Sequence, residues 1–433
     1  MKVAAGGGAS QPLTHLDADR VDIVHRWPAF LPDGRHFLYF VACTTNPAVD
    51  ENSGIYLGSL DSDESRLVQR SESRALYSQG HILYRAGTTL MARPFDVSTT
   101  RLTGDPVAVA TDIPGGAVSW GGAQFGASET GLLVHMRGAR VMSTVLQWRD
   151  RAGTVVGTLS EPGGYWEPRL SHDGKRVAVA AGQDAADIWV HDLQNDMQTR
   201  FSFNNADERT PLWSPDDLHI AYTSSETSAG SIYLRPVSGQ EPAKLVFDAK
   251  TQISLQDWSH DGRHIFFNYL EPNENGWDTW ALDMESYEAK AVLTGPSDQT
   301  YASLSPDGRY MAFSSDESGQ EQIYVQSYPA AAGRWMVSGD KIAGRASQPR
   351  WRGDGKELYY VRGSALVAVP VATEGGFTFG TPRFLFSLNL NSVNAAFDPR
   401  PDGQQFLTNE MPAANRDQVG ARLIQNWTAL LDR

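Results

Sequence analysis

The chain has 433 residues, 41% of them hydrophobic and 20% charged, with 40 Gly, 23 Pro and a single Cys. This is the composition of a globular protein and excludes a disordered or collagen-like chain. The formal net charge of −14 weighs against nucleic acid or an anionic membrane as partner, since both recruit clustered Lys and Arg. No stretch approaches the ~18 consecutive apolar residues that a bilayer span requires.

In chain order, MKVAAGGGAS (1–10) reads as a linker, and 11–433 reads as one domain. Within that domain one phrase keeps returning: FLPDGRHFLYF (30–40), RLSHDGKRVAVAA (169–181), LWSPDDLHIAYTS (212–224), DWSHDGRHIFFNY (257–269), SLSPDGRYMAFSS (303–315), RWRGDGKELYYVR (350–362) and DPRPDGQQFLTN (398–409). Two worn copies, YSQGHILYR (77–85) and GASETGLLVHMR (126–137), fill the long gap after the first. From Asp173 to Asp402 the turn aspartates are spaced by 43, 45, 46, 47 and 48 residues. Each phrase is an apolar strand, a corner and a second apolar strand. Pro suits the first corner of a type I turn, Asp the second, and Gly the left-handed position that follows. Asp217 stands where that Gly is expected, and Asp tolerates left-handed backbone better than most residues. The turn aspartates are expected to cap local backbone N–H groups rather than bind metal.

A third strand follows each hairpin, as in GIYLGSL (54–60), SIYLRPV (231–237) and QIYVQSY (322–328), and then a short fourth, as in RLVQR (66–70) and KLVF (244–247). Four antiparallel strands per ~46 residues without a long amphipathic helix predict an all-β chain folded as a β-propeller. Nine anchors give nine blades, or eight if one worn copy in 74–137 is a loop. The last blade lacks an outer strand after ARLIQNW (421–427). QPLTHLD (11–17) looks like a fourth strand without a blade, so the expected closure lays the N-terminal strand on the C-terminal blade.

The hairpin followed by an IYxxxL strand resembles the TolB-like, WD-repeat-like propellers. HRWPAFLPDGRHFLYF, GIYLGSLDS, TLMARPFD and LIQNWTALL together are similar to the C-terminal propeller region of bacterial serine/threonine protein kinases. That resemblance covers 11–433 and implies an extracytoplasmic, periplasmic sensor that binds a protein or small-molecule ligand as a monomer, without a cofactor. A TolB-type envelope scaffold is the alternative. The kinase itself is not in this sequence: His25-Arg26-Trp27 is no His-Arg-Asp catalytic loop, and there is no Asp-Phe-Gly or Gly-rich phosphate loop.

Other chemistry finds little support. The Gly-x-Ser-x-Gly elbow of a prolyl oligopeptidase is missing, since Gly126-Ala127-Ser128-Glu129-Thr130-Gly131 has the wrong spacing. The ten histidines show no HExxH or closely spaced ligand set, and His172 and His260 fill the Pro slot of the turn. A metal-dependent lyase of the oligogalacturonate type remains a second alternative, with histidines of different blades converging in the funnel. Asp61-Ser62-Asp63-Glu64 lacks the Gly and distal Glu of a calcium loop. Cys43 ends an apolar run and is expected to be buried. Trp213, Trp258 and Trp351 precede the corner at equivalent positions, which predicts core packing. The chain is therefore read as a non-enzymatic binding module. Its candidate contacts enter the first strand of each blade at the funnel mouth: Arg26, Trp27, Tyr165, Trp166, Glu167, Arg209, Gln256, Tyr301 and Gln348. Two long loops, 43–54 and 271–277, are expected on the same face.

Overall fold

Each Asp-Gly corner forms as its chemistry requires. The carboxylates of Asp33, Asp173, Asp216, Asp261, Asp307, Asp354 and Asp402 all accept the backbone N–H two residues on, at 2.9–3.1 Å. The next residue is left-handed, from Gly34 at φ 66° to Gly262 at φ 76°, and Asp217 takes the same conformation at φ 57°. Asp217 does more than tolerate the geometry. Its carboxylate accepts the backbone N–H groups of His172 and Asp173, at 2.9 and 2.8 Å, in the corner of the preceding repeat.

The computed structural model describes the chain except residues 1, 4–5, 18, 21, 23, 44–51, 64, 114–121, 138–142, 183–184, 205, 228–229, 271–275, 340–343, 391–395, 413–419 and 432–433. Most of the loops at 43–54 and 271–277 therefore lies outside the described residues. Among those described the molecule is all-β, with nine antiparallel sheets of the propeller-blade kind, most of them four-stranded. The repeats predicted from sequence each form their own sheet, and both worn copies survive as strand-turn-strand, Ala75–Ala86 and Phe125–Arg137. The chain divides into two compact units, Met1–Val141 with Ala413–Arg433, and Met142–Pro412.

The first unit holds three sheets. One runs Val24–Phe30, His36–Ala42, Gly54–Ser59, Ser65–Arg70; a second spans Ala75–Ala110; the third pairs Phe125–Ala127 and Leu132–Arg137 with Gly420–Gln425. Trp427, fully buried, donates its indole N–H to Ser78 Oγ at 3.1 Å and holds this returning segment against the second and third sheets. Cys43 is buried at the edge of the first sheet, as expected.

The second unit holds six sheets. In five of them the strands follow sequence order from inside to outside; the sixth takes Phe397–Pro399 and Gln405–Glu410 from one end and Val145–Asp150 and Val155–Thr158 from the other. Apolar clusters fill every junction between neighbours. Ala178 and Ile188 meet Trp213 and Ile220 at the first, and Leu146 and Leu407 meet Val177 and Val179 at the last, which closes a six-bladed ring. This is why the second strands are apolar on both faces: each blade is covered by a blade on either side.

The expected closure needs correction in both parts. The segment 11–17 makes no strand on the last blade; Leu13 packs instead on Phe37, Tyr39 and Tyr56 of the first sheet. ARLIQNW pairs with Leu132–Arg137, not with 405–410. The seam of the second unit is Val145–Asp150 against Gln405–Glu410. Glu410 anchors it, accepting Arg149 Nε at 2.6 Å and Nη2 at 3.0 Å, with Gln147 and Thr408 adding further hydrogen bonds.

Two stability changes are expected. Glu410→Ala strands the Arg149 guanidinium in a half-buried seam and should cost about 3–5 kcal/mol in chemical unfolding. Asp217→Gly restores the repeat residue yet removes the acceptor for two backbone N–H groups, and should destabilise by about 1–2 kcal/mol. A stabilising Asp217→Gly would refute the bridging role.

Candidate functional site

The inner strands of the second unit are Tyr165–Leu170, Glu208–Trp213, Ile253–Trp258, Gln299–Leu304, Ala346–Trp351 and Phe397–Pro399. Each is tied sideways to the next. Thr210 N–H donates to Glu167 (2.7 Å), Leu255 N–H to Thr210 Oγ1 (3.2 Å), and Leu304 N–H to Asp257 (2.7 Å). The Trp351 indole donates to Ser303 O (3.0 Å), Ala396 N–H to Gln348 (2.7 Å), and Leu170 N–H to Asp398 (2.8 Å). In five of these ties a polar side chain on one inner strand accepts the backbone N–H that the next strand leaves open, and in the sixth an indole donates to an open carbonyl. The ring encloses an axial cavity of about 380 Å³ to which all six inner strands contribute.

Within this ring the inner strands carry a backbone device that local pattern did not reveal. Glu167, Thr210, Tyr301 and Gln348 all have positive φ, 49–61°, and each sits where the pairing with the second strand slips by a residue. The same bulge recurs in the first unit at Trp27, φ 58°. A bulge of this kind bends the strand and re-aims its side chains, so the candidate mouth residues are set by strained backbone rather than by a free loop.

Of the predicted mouth residues, the structure brings four together. Arg209 stacks over the Trp166 indole at 4.8 Å and pairs with Asp207 at 2.9 Å. Burial pushes the Glu167 carboxyl above its usual range, against the pull of Arg209 and the Thr210 N–H. Burial likewise lifts the Tyr301 hydroxyl, and the charges of Glu321 and Glu167 add to it. Tyr165 turns its carbonyl to the Asn409 amide (2.8 Å). Gln256 and Gln348 are buried and bonded to backbone. Arg26 and Trp27 belong to the first unit, where the Arg74 guanidinium lies 5.7 Å from the Trp27 ring centre.

Only Gln256 of that set lines the axial cavity. The residues that dominate it stand four places before each turn Asp: Arg169, Leu212, Asp257, Ser303, Arg350 and Asp398. Asp398 sits between the two arginines, its Oδ1 3.7 Å from Arg350 Nε and 4.0 Å from Arg169 Nη1. These are ion-pair distances too long for hydrogen bonds. Arg169 and Arg350 keep 9% and 8% of their surface exposed, and the Nε–H of each lacks an acceptor. Burial raises the Asp398 carboxyl to about 6, against the charges of Arg169 and His172 and the Leu170 N–H. Burial raises Asp257 as well. His172 and His260 hold the turn slot as expected and also meet edge to face on the cavity wall, ring centres 6.2 Å apart. Trp213, Trp258 and Trp351 are buried among the inter-blade clusters as predicted, and each also forms part of the cavity wall. The signal for this ring was present in the sequence: four charges recur at one repeat position inside otherwise apolar strands. Among the described residues no group of three or more His, Cys, Asp or Glu is placed to hold a metal ion.

No protein-family model matches the chain. Two curated relatives do match in part. Tricorn protease homolog 1 of Streptomyces coelicolor is 22% identical over 198 residues, covering 43% of this chain and 18% of the relative. The uncharacterized peptidase YuxL of Bacillus subtilis is 27% identical over 135 residues, covering 29% of this chain and 20% of the relative. The chain thus spans about a fifth of the length of each. Among solved structures, a TolB-assigned protein of Agrobacterium tumefaciens superposes with a TM-score of 0.50 at 20% identity, covering 63% of this chain and 99% of that one. That likeness supports the TolB-like propeller fold. The expectation of a non-enzymatic chain is corrected by the first two matches, a protease homologue and a peptidase. Missing catalytic motifs in these 433 residues do not exclude an enzyme.

The Asp398 carboxyl should titrate near pH 6 by carbon-detected NMR, against an ordinary value of about 3.9. Its folded value lies above its unfolded one, so its stability contribution is complete below about pH 4 and is lost as pH rises through 6. Asp398→Asn should remove that slope, and a midpoint at or below 4 would rule out the desolvated position.

Proposed function

We propose that the chain is a recognition module, and that the axial cavity of Met142–Pro412 is where it takes its ligand. The carrying observation is the pair of buried arginines, Arg169 and Arg350, lining a cavity of about 380 Å³, each guanidinium held by one backbone carbonyl and a long contact to Asp398. A buried donor without an acceptor is costly, and a concave, largely apolar site with a few convergent polar groups is the usual form of a ligand pocket. The cluster of Glu167, Arg209, Trp166 and Tyr301 extends the recognition surface along the same inner strands.

The names of the two relatives fit a module that presents or selects substrates for a larger peptidase. The TolB-like fold fits a scaffold in an envelope complex, and with it an extracytoplasmic setting. The narrower role of kinase sensor draws only on the phrases quoted from the sequence.

Ser303→Phe grows a side chain into the cavity from a buried position. In a thermal-shift screen of small acids, sugars and short peptides, the unmodified protein should be stabilised by at least one class, and Ser303→Phe should lose that response while staying folded. Equal responses in both proteins would move the ligand site elsewhere.

A further inference from the structure

We propose that this cavity binds an organic carboxylate, gripped by the guanidinium groups of Arg169 and Arg350 and backed by indole walls. The inference rests on the cavity being the ligand site and adds the chemistry of what enters it. The donor count favours an anion. Arg169 Nη2 reaches only the Gln256 carbonyl at 3.3 Å, and Arg350 Nη1 only the Pro349 carbonyl at 2.9 Å. Neither Nε–H has an acceptor.

The acids of the cavity leave the guanidinium donors short: both Asp257 oxygens are taken by backbone, and Asp398 Oδ1 stands 3.7 and 4.0 Å from Arg350 and Arg169, beyond hydrogen-bond reach. Asp257 accepts the N–H groups of Trp258 (2.9 Å) and Leu304 (2.7 Å), and Asp398 Oδ2 accepts that of Leu170 (2.8 Å). A carboxylate offers two oxygens in one plane, which matches the forked donors of arginine. Its apolar body meets Trp213, Trp258 and Trp351. A volume of about 380 Å³ lies at the small end of ligand pockets and suits one ring with a short acid arm rather than a polymer.

Charge balance gives the binding a pH signature. With Asp257 and Asp398 ionised, the two arginines are already neutralised, and a third carboxylate brings the site to a net negative charge. Protonation of Asp398 from solvent restores neutrality, so binding takes up about one proton. His172 and His260 face the same space and are the competing groups that the Asp398→Asn variant separates from Asp398.

Phenylacetate and its neutral isostere phenylacetamide separate the possibilities by calorimetry on the full chain. Phenylacetate should bind at least tenfold more tightly than the amide. Its affinity should fall roughly tenfold per pH unit above 6 for a one-proton uptake, with uptake read from buffers of different ionisation enthalpy. Arg350→Met should abolish phenylacetate binding and Arg350→Lys restore part of it, while Asp398→Asn should bind with no pH slope between 5.5 and 7.5. Equal binding of acid and amide would overturn the carboxylate proposal and leave the cavity reading standing. Failure of both probes on the unmodified protein would count against both. A slope that survives in Asp398→Asn would assign the proton to the histidines and overturn the role given to Asp398.

Discussion

The second unit depends on how an inner strand satisfies the backbone that its own sheet leaves open. The first strand of each blade has a partner on one side only, and its other edge faces the axis. Water or side chains must serve that edge. Here side-chain acceptors come from the preceding blade, at Glu167, Thr210, Asp257, Gln348 and Asp398, while the Ser303 carbonyl takes the Trp351 indole N–H. The ring is therefore cross-linked by hydrogen bonds that run around the channel as well as by the apolar layers between blades.

That solution has a chemical cost with functional consequences. It places carboxylates where water is scarce, so burial pushes Asp257 and Asp398 up and leaves their charge only partly answered by Arg169 and Arg350. The arginines in turn are held by too few acceptors. One set of residues thus closes the ring and makes a polarised, donor-rich cavity. Scaffold and site cannot be separated at these positions, which is why substitutions there need readouts beyond activity or stability alone.

Asp217 shows the same economy at the corner level. As a deviation from the Gly of the repeat it reads as a small loss of turn quality. In the folded unit its carboxylate bridges to the corner of the neighbouring repeat and contacts His172 Nδ1 at 3.0 Å, on the wall of the cavity.

The repeat, the corners, the order of four strands and the burial of the tryptophans were legible from sequence because they are local. A left-handed residue, an Asx turn and a two-faced apolar strand each announce themselves within about ten residues. The partners that close each unit were not legible. Val145–Asp150 meets Gln405–Glu410 across some 260 residues, and Leu132–Arg137 meets Gly420–Gln425 across almost 290. The gathering of Arg169, Asp257, Arg350 and Asp398 around one axis likewise exists only when residues of different repeats are brought side by side. Local backbone preference determined the blades; the pairing of distant edges decided how they close and what chemistry they enclose.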